Sequence, residues 1–137
     1  MKNMFIVGVK NKSSKHVAEI LAKKINLAFF DAEQYFSEKL ILFPDFPLEE
    51  SDEKMKKYEK DYLKILTETN KVIYISNDMF LSNKNYNILK DSIKILVVDF
   101  ELEEVEQGLQ NLLSKHCNYI VENNENSIDS LIKNLKF

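Results

Sequence analysis

Apolar positions along the chain fall into short continuous runs separated by longer stretches with helical spacing. The runs are Met4 to Val9, Leu27 to Phe30, Val72-Ile73-Tyr74-Ile75, Ile93 to Val98 and Tyr119-Ile120-Val121. They are rich in β-branched and aromatic side chains and lack polar alternation, which predicts strands buried on both faces. Each ends in polar residues: Lys10-Asn11-Lys12-Ser13, Asp31, Ser76-Asn77-Asp78, Asp99 and Glu122. Between the runs, Val17, Ile20, Leu21 and Ile25 recur at helical spacing, and Ser13 or Ser14 is placed to cap that helix. Glu33 to Leu42 is mixed and helical, and Pro44 and Pro47 then break the chain. From Glu49 to Asp61 charges of both signs alternate and lead into Tyr62, Leu63, Ile65 and Leu66, which predicts one long helix with a solvated charged stretch. Ser82 to Lys90, Glu101 to Ser114 and Ser127 to Leu135, the last capped by Ser127, complete the predicted helices.

Strands alternating with helices predict an α/β fold: a three-layer α/β/α domain around a five-stranded parallel sheet. A chain of 137 residues suits a single domain spanning 1–137, and no repeat or linker interrupts it. Ligands of such sheets bind beyond the carboxyl ends of the strands. Here those ends are Gly8 to Ser14, Asp31 to Glu33, Ser76 to Asp78, and Asp99.

Composition narrows the chemistry. Hydrophobic residues make up 45% of the chain, enough for an ordinary core. The net charge of -3 provides no field for nucleic acid. No apolar run approaches the ~20 residues of a membrane span. The apolar start is ended by Lys10 and Lys12 before any small-residue cleavage site, so a cytoplasmic protein is expected. A lone Cys excludes an internal disulfide and a multi-cysteine zinc site. Nineteen lysines are present and no arginine. A planar bidentate clamp on carboxylate or phosphate is therefore missing its usual residue.

The ungapped stretch from Ile6-Val7-Gly8 through Val17-Ala18-Glu19-Ile20-Leu21-Ala22-Lys23-Lys24-Ile25-Asn26-Leu27 to Phe30-Asp31 resembles the opening of the shikimate kinases. Those kinases read strand, G-x-x-x-x-G-K-[ST], a helix ending L-A-K-x-L-G-L, and a strand ending in Asp. Val72 to Asp78, Leu89-Lys90 with Ile95 to Asp99, and Tyr119 to Glu122 with Ser127 to Leu131 continue the likeness over nearly the whole chain. The resemblance implies a P-loop kinase fold with a small helical substrate-side insertion around 32–69.

Set against that family, the chemical residues have changed. The second loop glycine falls on Ser13, the phosphate lysine on Ser14, the metal-binding hydroxyl on Lys15 and the next hydroxyl on His16, so that only Gly8 of the motif survives. The loop glycines let backbone N–H groups close around phosphate, and the lysine neutralises charge on the β and γ phosphates. Sliding the register by one would return a lysine, Lys15, at the expense of a longer loop. The family's D-x-D becomes Asp31-Ala32-Glu33, in which Asp31 could hold a magnesium water and Glu33 a substrate hydroxyl. Its F-R-x-x-E becomes Met55-Lys56-Lys57-Tyr58-Glu59, placing Lys56 where arginine grips the substrate carboxylate. The three-glycine turn becomes Ser76-Asn77-Asp78, and Asp78 brings negative charge toward an anionic substrate. Little more than one helix separates Asp99 from Asn118, so the arginine-bearing lid has no counterpart.

The expectation is therefore a shikimate-kinase-like protein without catalysis and without a required cofactor, keeping a binding or assembly role. An anion or nucleotide would be held weakly by Gly8, Lys10, Asn11, Lys12, Ser13, Ser14 and Lys15 around a helix N-terminus. Asp31, Glu33, Lys56, Ser76, Asn77 and Asp78 occupy the substrate positions. Two alternatives remain. One is a working kinase with a remodelled loop, using ATP and magnesium with Asp31 as metal and catalytic residue. The other is a structural homodimer with no ligand. Among other constellations, His16, His116 and Cys117 read as a buried thiol and surface imidazoles. The aromatics Phe29, Phe30, Tyr35, Phe36, Phe43 and Phe46 read as mostly core, with some available to a partner.

Overall fold

A computed structural model describes residues 3–41 and 48–135. Five strands are joined by helical connections: β1 (Met4–Gly8), β2 (Ala28–Asp31), β3 (Lys71–Tyr74), β4 (Ile93–Val98) and β5 (Tyr119–Glu122). They form one sheet in the order β2-β3-β1-β4-β5, and every neighbouring pair is parallel. Phe5 lies opposite Ile73 on one side and Lys94 on the other, so β1 is the central strand. All five of its residues are buried, as a strand covered on both faces requires.

Side chains alternate between the two faces because successive Cβ atoms point opposite ways. Met4, Ile6, Val72, Tyr74, Ile95 and Val97 meet Val17, Ala18 and Leu21 of α1 (Asn11–Ile25) and Ile128 and Leu131 of α6 (Glu125–Leu135). Phe5, Val7, Ile73, Ile75 and Leu96 meet the opposite layer. That layer comprises α2 (Ala32–Ile41), α3 (Leu48–Leu66), α4 (Asn77–Leu81) and α5 (Glu104–Ser114), which contribute Phe36, Leu63, Phe80 and Leu113. The three-layer α/β/α domain predicted from the pattern is thus present, with the long charged helix realised as α3. Pro44, Pro47, Phe43 and Phe46 lie outside the described residues. No helix among the described residues is long and apolar enough to cross a membrane.

Helix starts differ from expectation, each for a local reason. Helix α1 begins at Asn11, two to three residues before the predicted serine cap, with Lys10 at the N-cap and no side-chain capping bond. The Ser14 N–H donates to the Lys10 carbonyl at 3.1 Å, so Ser14 is already inside the first turns. Helix α4 begins at Asn77, with the Ser76 hydroxyl accepting from the Met79 N–H at 3.2 Å. The segment expected to be helical from Ser82 is instead a 3-10 turn, Ser82–Asn87, in which Asn83 and Lys84 have φ of 51° and 55°. Such left-handed backbone stops a regular helix. Helix α5 starts at Glu104 behind a reciprocal capping box between Glu103 and Glu106. At α6 the cap is Asn124, whose Oδ1 accepts from the Ser127 N–H at 2.8 Å. Ser127 lies within the first turn, and its hydroxyl accepts from the Glu122 N–H at 2.8 Å.

Candidate functional site: the cleft at the carboxyl edge of the sheet

The ends of β1, β2 and β3 converge where a parallel sheet places its ligands. A cleft of about 500 Å³ opens there, lined by Asn11, Lys12, Lys15, Asp31, Glu33, Gln34, Ser37 and Tyr74. A second hollow of about 240 Å³ shares Glu33 and Ser37 and adds Phe36, Glu59, Ser76, Asp78, Met79 and Ser82. Sequence-nominated residues from three strand ends are therefore brought together, while Lys56 is exposed on α3 and lines neither hollow.

At the centre of the cleft, Lys15 Nζ lies 3.0 Å from Asp31 Oδ2. The hydrogen bond and charge of Asp31 raise the Lys15 pKa above its ordinary value, which keeps the ammonium charged. Asp31 Oδ1 is also committed, accepting the Gln34 N–H at 2.9 Å and so capping α2. Both carboxylate oxygens therefore have partners. In the register of the resemblance, Lys15 stands at the position of the metal-binding hydroxyl and Asp31 at that of the aspartate behind it. The ion pair puts an ammonium where, in that register, the two residues would face a divalent cation.

The loop before α1 is held from the start of α4, just beyond β3. The Asn77 amide nitrogen donates to the Gly8 carbonyl at 3.0 Å and the Val9 carbonyl at 2.9 Å. Asn11 Oδ1 in turn accepts from the Asn77 N–H at 3.2 Å. Asn77 is buried, so these bonds form away from bulk water and tie the loop to the first residue of α4. Ser14 is fully buried and its hydroxyl donates to the Lys10 carbonyl at 3.2 Å, facing the sheet rather than the cleft. Lys10 and Lys12 are exposed, and Ser13 is half-buried.

On the substrate side, the Tyr74 hydroxyl donates to Glu33 Oε2 at 3.3 Å. Burial first, and then the Glu33 charge, push this phenol far above its ordinary pKa, so it remains a donor at any physiological pH. Glu59 accepts from the amide of Asn85, which is fully buried and also donates to the Met79 carbonyl at 2.8 Å. Burial raises the Glu59 pKa. Asp78 is exposed. Among the described residues the second hollow is thus lined by three carboxylates, Glu33, Glu59 and Asp78, and by no cation.

Tyr74, Ser37 and Gln34 were not singled out from the sequence. The register of β2 on β3 sets Tyr74 beside Asp31, and only that pairing shows its reach into the cleft. The expected aromatic group divides between layers. Phe29 packs with α1, whereas Phe30, Tyr35 and Tyr62 cluster on the other face, the last two stacked at 5.0 Å. Burial pushes the Cys117 thiol up to about 12, and His116 stacks on Tyr86 at 3.7 Å. No cluster of three or more metal-ligating side chains exists among the described residues.

A parallel 2-3-1-4-5 sheet whose β1–α1 loop faces an aspartate at the end of β2 defines the P-loop kinase fold. Within that class the chain belongs to the shikimate kinase family, whose family model, described as Shikimate kinase, matches residues 12–135. The solved shikimate kinase of Bacteroides thetaiotaomicron superposes with a TM-score of 0.70 at 16% identity, covering 98% of both chains. That of Aquifex aeolicus gives 0.69 at 16% identity, over 98% of this chain and 96% of the other. The Acinetobacter baumannii enzyme, solved in complex with shikimate, gives 0.62 at 18% identity, over 98% and 90%. At such identities the structural likeness speaks for the fold alone. No curated protein matches the chain.

Proposed function

We propose that this chain is a non-catalytic member of the shikimate kinase family that keeps the kinase fold for binding or assembly. The observation that carries the reading is the 3.0 Å pair of Lys15 with Asp31, whose other oxygen caps α2. A magnesium nucleotide needs that carboxylate free to orient metal water and needs a mobile lysine on the phosphates. Here Asp31 is occupied, and Ser14, at the lysine position, is neutral and buried. The residues present do not fit the metal–nucleotide pair. Nor does the second hollow fit an anionic substrate, since three carboxylates line it. Removing an arginine that stabilises phosphoryl transfer costs ~10³ to 10⁵ in rate in related enzymes, and this chain has none.

A coupled ADP-release assay with ATP, magnesium and shikimate tests the reading, and no shikimate-dependent turnover is expected. Turnover within the ordinary kinase range of roughly 1–100 s⁻¹, abolished by Asp31→Ala, would overturn it. That result would favour the second reading, in which Lys15 or Lys12, both lining the cleft with Asp31, replaces the lost lysine in a remodelled loop. What remains of ligand binding is assigned to the same cleft: a weakly held anion approached by Lys12 and the orphan N–H groups opening α1.

A further inference from the structure

Helix α5 carries a face that its own fold does not use. Leu113, Leu109 and Gln110 turn toward the sheet, buried or half-buried. On the outer side, Val105 is 85% and Leu112 42% exposed. Gly108 lies between them on the same side, because residues three and four apart share a helix face. A glycine in mid-helix is unfavourable relative to alanine. Its absent side chain avoids no internal clash, since nothing stands within 4 Å of where a Cβ would lie.

The spacing has a symmetry. Val105 and Leu112 are equidistant from the midpoint between Gly108 and Leu109. A second α5 laid antiparallel about a two-fold at that point sets Val105 on the partner's Leu112 twice over, which is the self-matching that a two-fold interface demands. Gly108 at the crossing lets the two backbones approach closely. Charge follows the same sense. Exposed Glu104 at one end of the face meets exposed Lys115 from the other end of the opposing helix. A parallel arrangement would instead oppose Glu104 to itself. Phe100, 74% exposed just before the helix, extends the apolar area.

We infer that the outer face of α5, through Val105, Gly108 and Leu112, is a two-fold antiparallel interface with a second copy of this chain. None of these residues lines the cleft. The inference therefore stands apart from any reading of activity. Sedimentation velocity of the full chain across micromolar concentrations is expected to give the mass of two chains. Val105→Glu with Leu112→Glu is expected to give one chain with an unchanged circular dichroism spectrum, and a melting temperature that no longer rises with protein concentration. Glu104→Lys should weaken association several-fold, and adding Lys115→Glu should restore it, a rescue that general destabilisation would not produce. Gly108→Cys in a Cys117→Ser background should oxidise to a covalent dimer. A wild-type chain of single mass throughout would overturn the inference. So would a dimer that persists with both glutamates and does not cross-link through position 108.

Discussion

The Ser14 hydroxyl stands 2.5 Å from where a Cβ on Gly8 would lie, with the Val97 carbonyl 2.8 Å from the same point. Gly8, which the resemblance aligns with the first glycine of the family's loop motif, is therefore held by packing between β1, β4 and α1. It need not be explained by phosphate. Gly8→Ala should destabilise the protein by ~1–3 kcal/mol through overpacking. Urea denaturation of the two proteins measures this directly, and an unchanged midpoint would remove the packing explanation.

Restoring the family's lysine should not restore the family's chemistry. Ser14 is fully buried against the sheet, so Ser14→Lys forces an ammonium and its stem into a site with no space and no counter-charge. A loss above ~2 kcal/mol is expected, in the range of buried-charge substitutions, with no gain in ATP binding by calorimetric titration.

The two partners of the central ion pair should respond unequally. Lys15→Ala breaks only a half-exposed pair, worth ~0–1 kcal/mol. Asp31→Ala loses that pair and also the cap on the Gln34 N–H, a further ~1 kcal/mol. Thermal melts should rank wild type, Lys15→Ala and Asp31→Ala in falling order. Equal melts for the two variants would mean that the cap contributes nothing.

Cys117 offers a pH test. Its folded thiol titrates near 12, pushed up by burial, whereas an unfolded thiol titrates near 9. Because the folded value is the higher one, this contribution to stability is complete below pH 9 and falls as pH rises from about 9 toward 12. At pH 8.5 the native protein should react with iodoacetamide far more slowly than the urea-unfolded chain. Comparable rates, followed by mass spectrometry, would show the thiol to be accessible.

Asn77 should govern the mobility of the β1–α1 loop. Asn77→Ala removes the donors to the Gly8 and Val9 carbonyls and leaves those acceptors poorly satisfied. Hydrogen exchange at Lys10 to Ser13 should accelerate, with little change at β5. No local change would place the control of the loop elsewhere.

Much of the fold was legible in the linear pattern. Unbroken apolar runs such as Met4 to Val7 are best satisfied by burial on both faces, and the alternation with helices then leaves a parallel sheet as the economical arrangement. The resemblance from Gly8 to Asp31 identified which strand ends carry the cleft. Helix boundaries were less legible, because a serine that looks like a cap can be overridden by packing, as Ser14 is when it is drawn under Gly8. Asn124 rather than Ser127 caps α6 for a similar reason: the Ser127 hydroxyl is taken by the backbone of β5.

The sequence by itself determined the layers, the family and the absence of arginine, since these depend on residue type and order along the chain. Tertiary structure alone decided how the remaining groups are paired. Lys15 and Asp31 are sixteen positions apart and meet because β2 returns beside α1; Asn77 reaches Gly8 because β3 lies next to β1. Charge and hydrogen bonding act over a few ångströms of space. The same lysines and carboxylates could therefore have formed an open anion site or a closed ion pair, and the return of the chain selected the closed one.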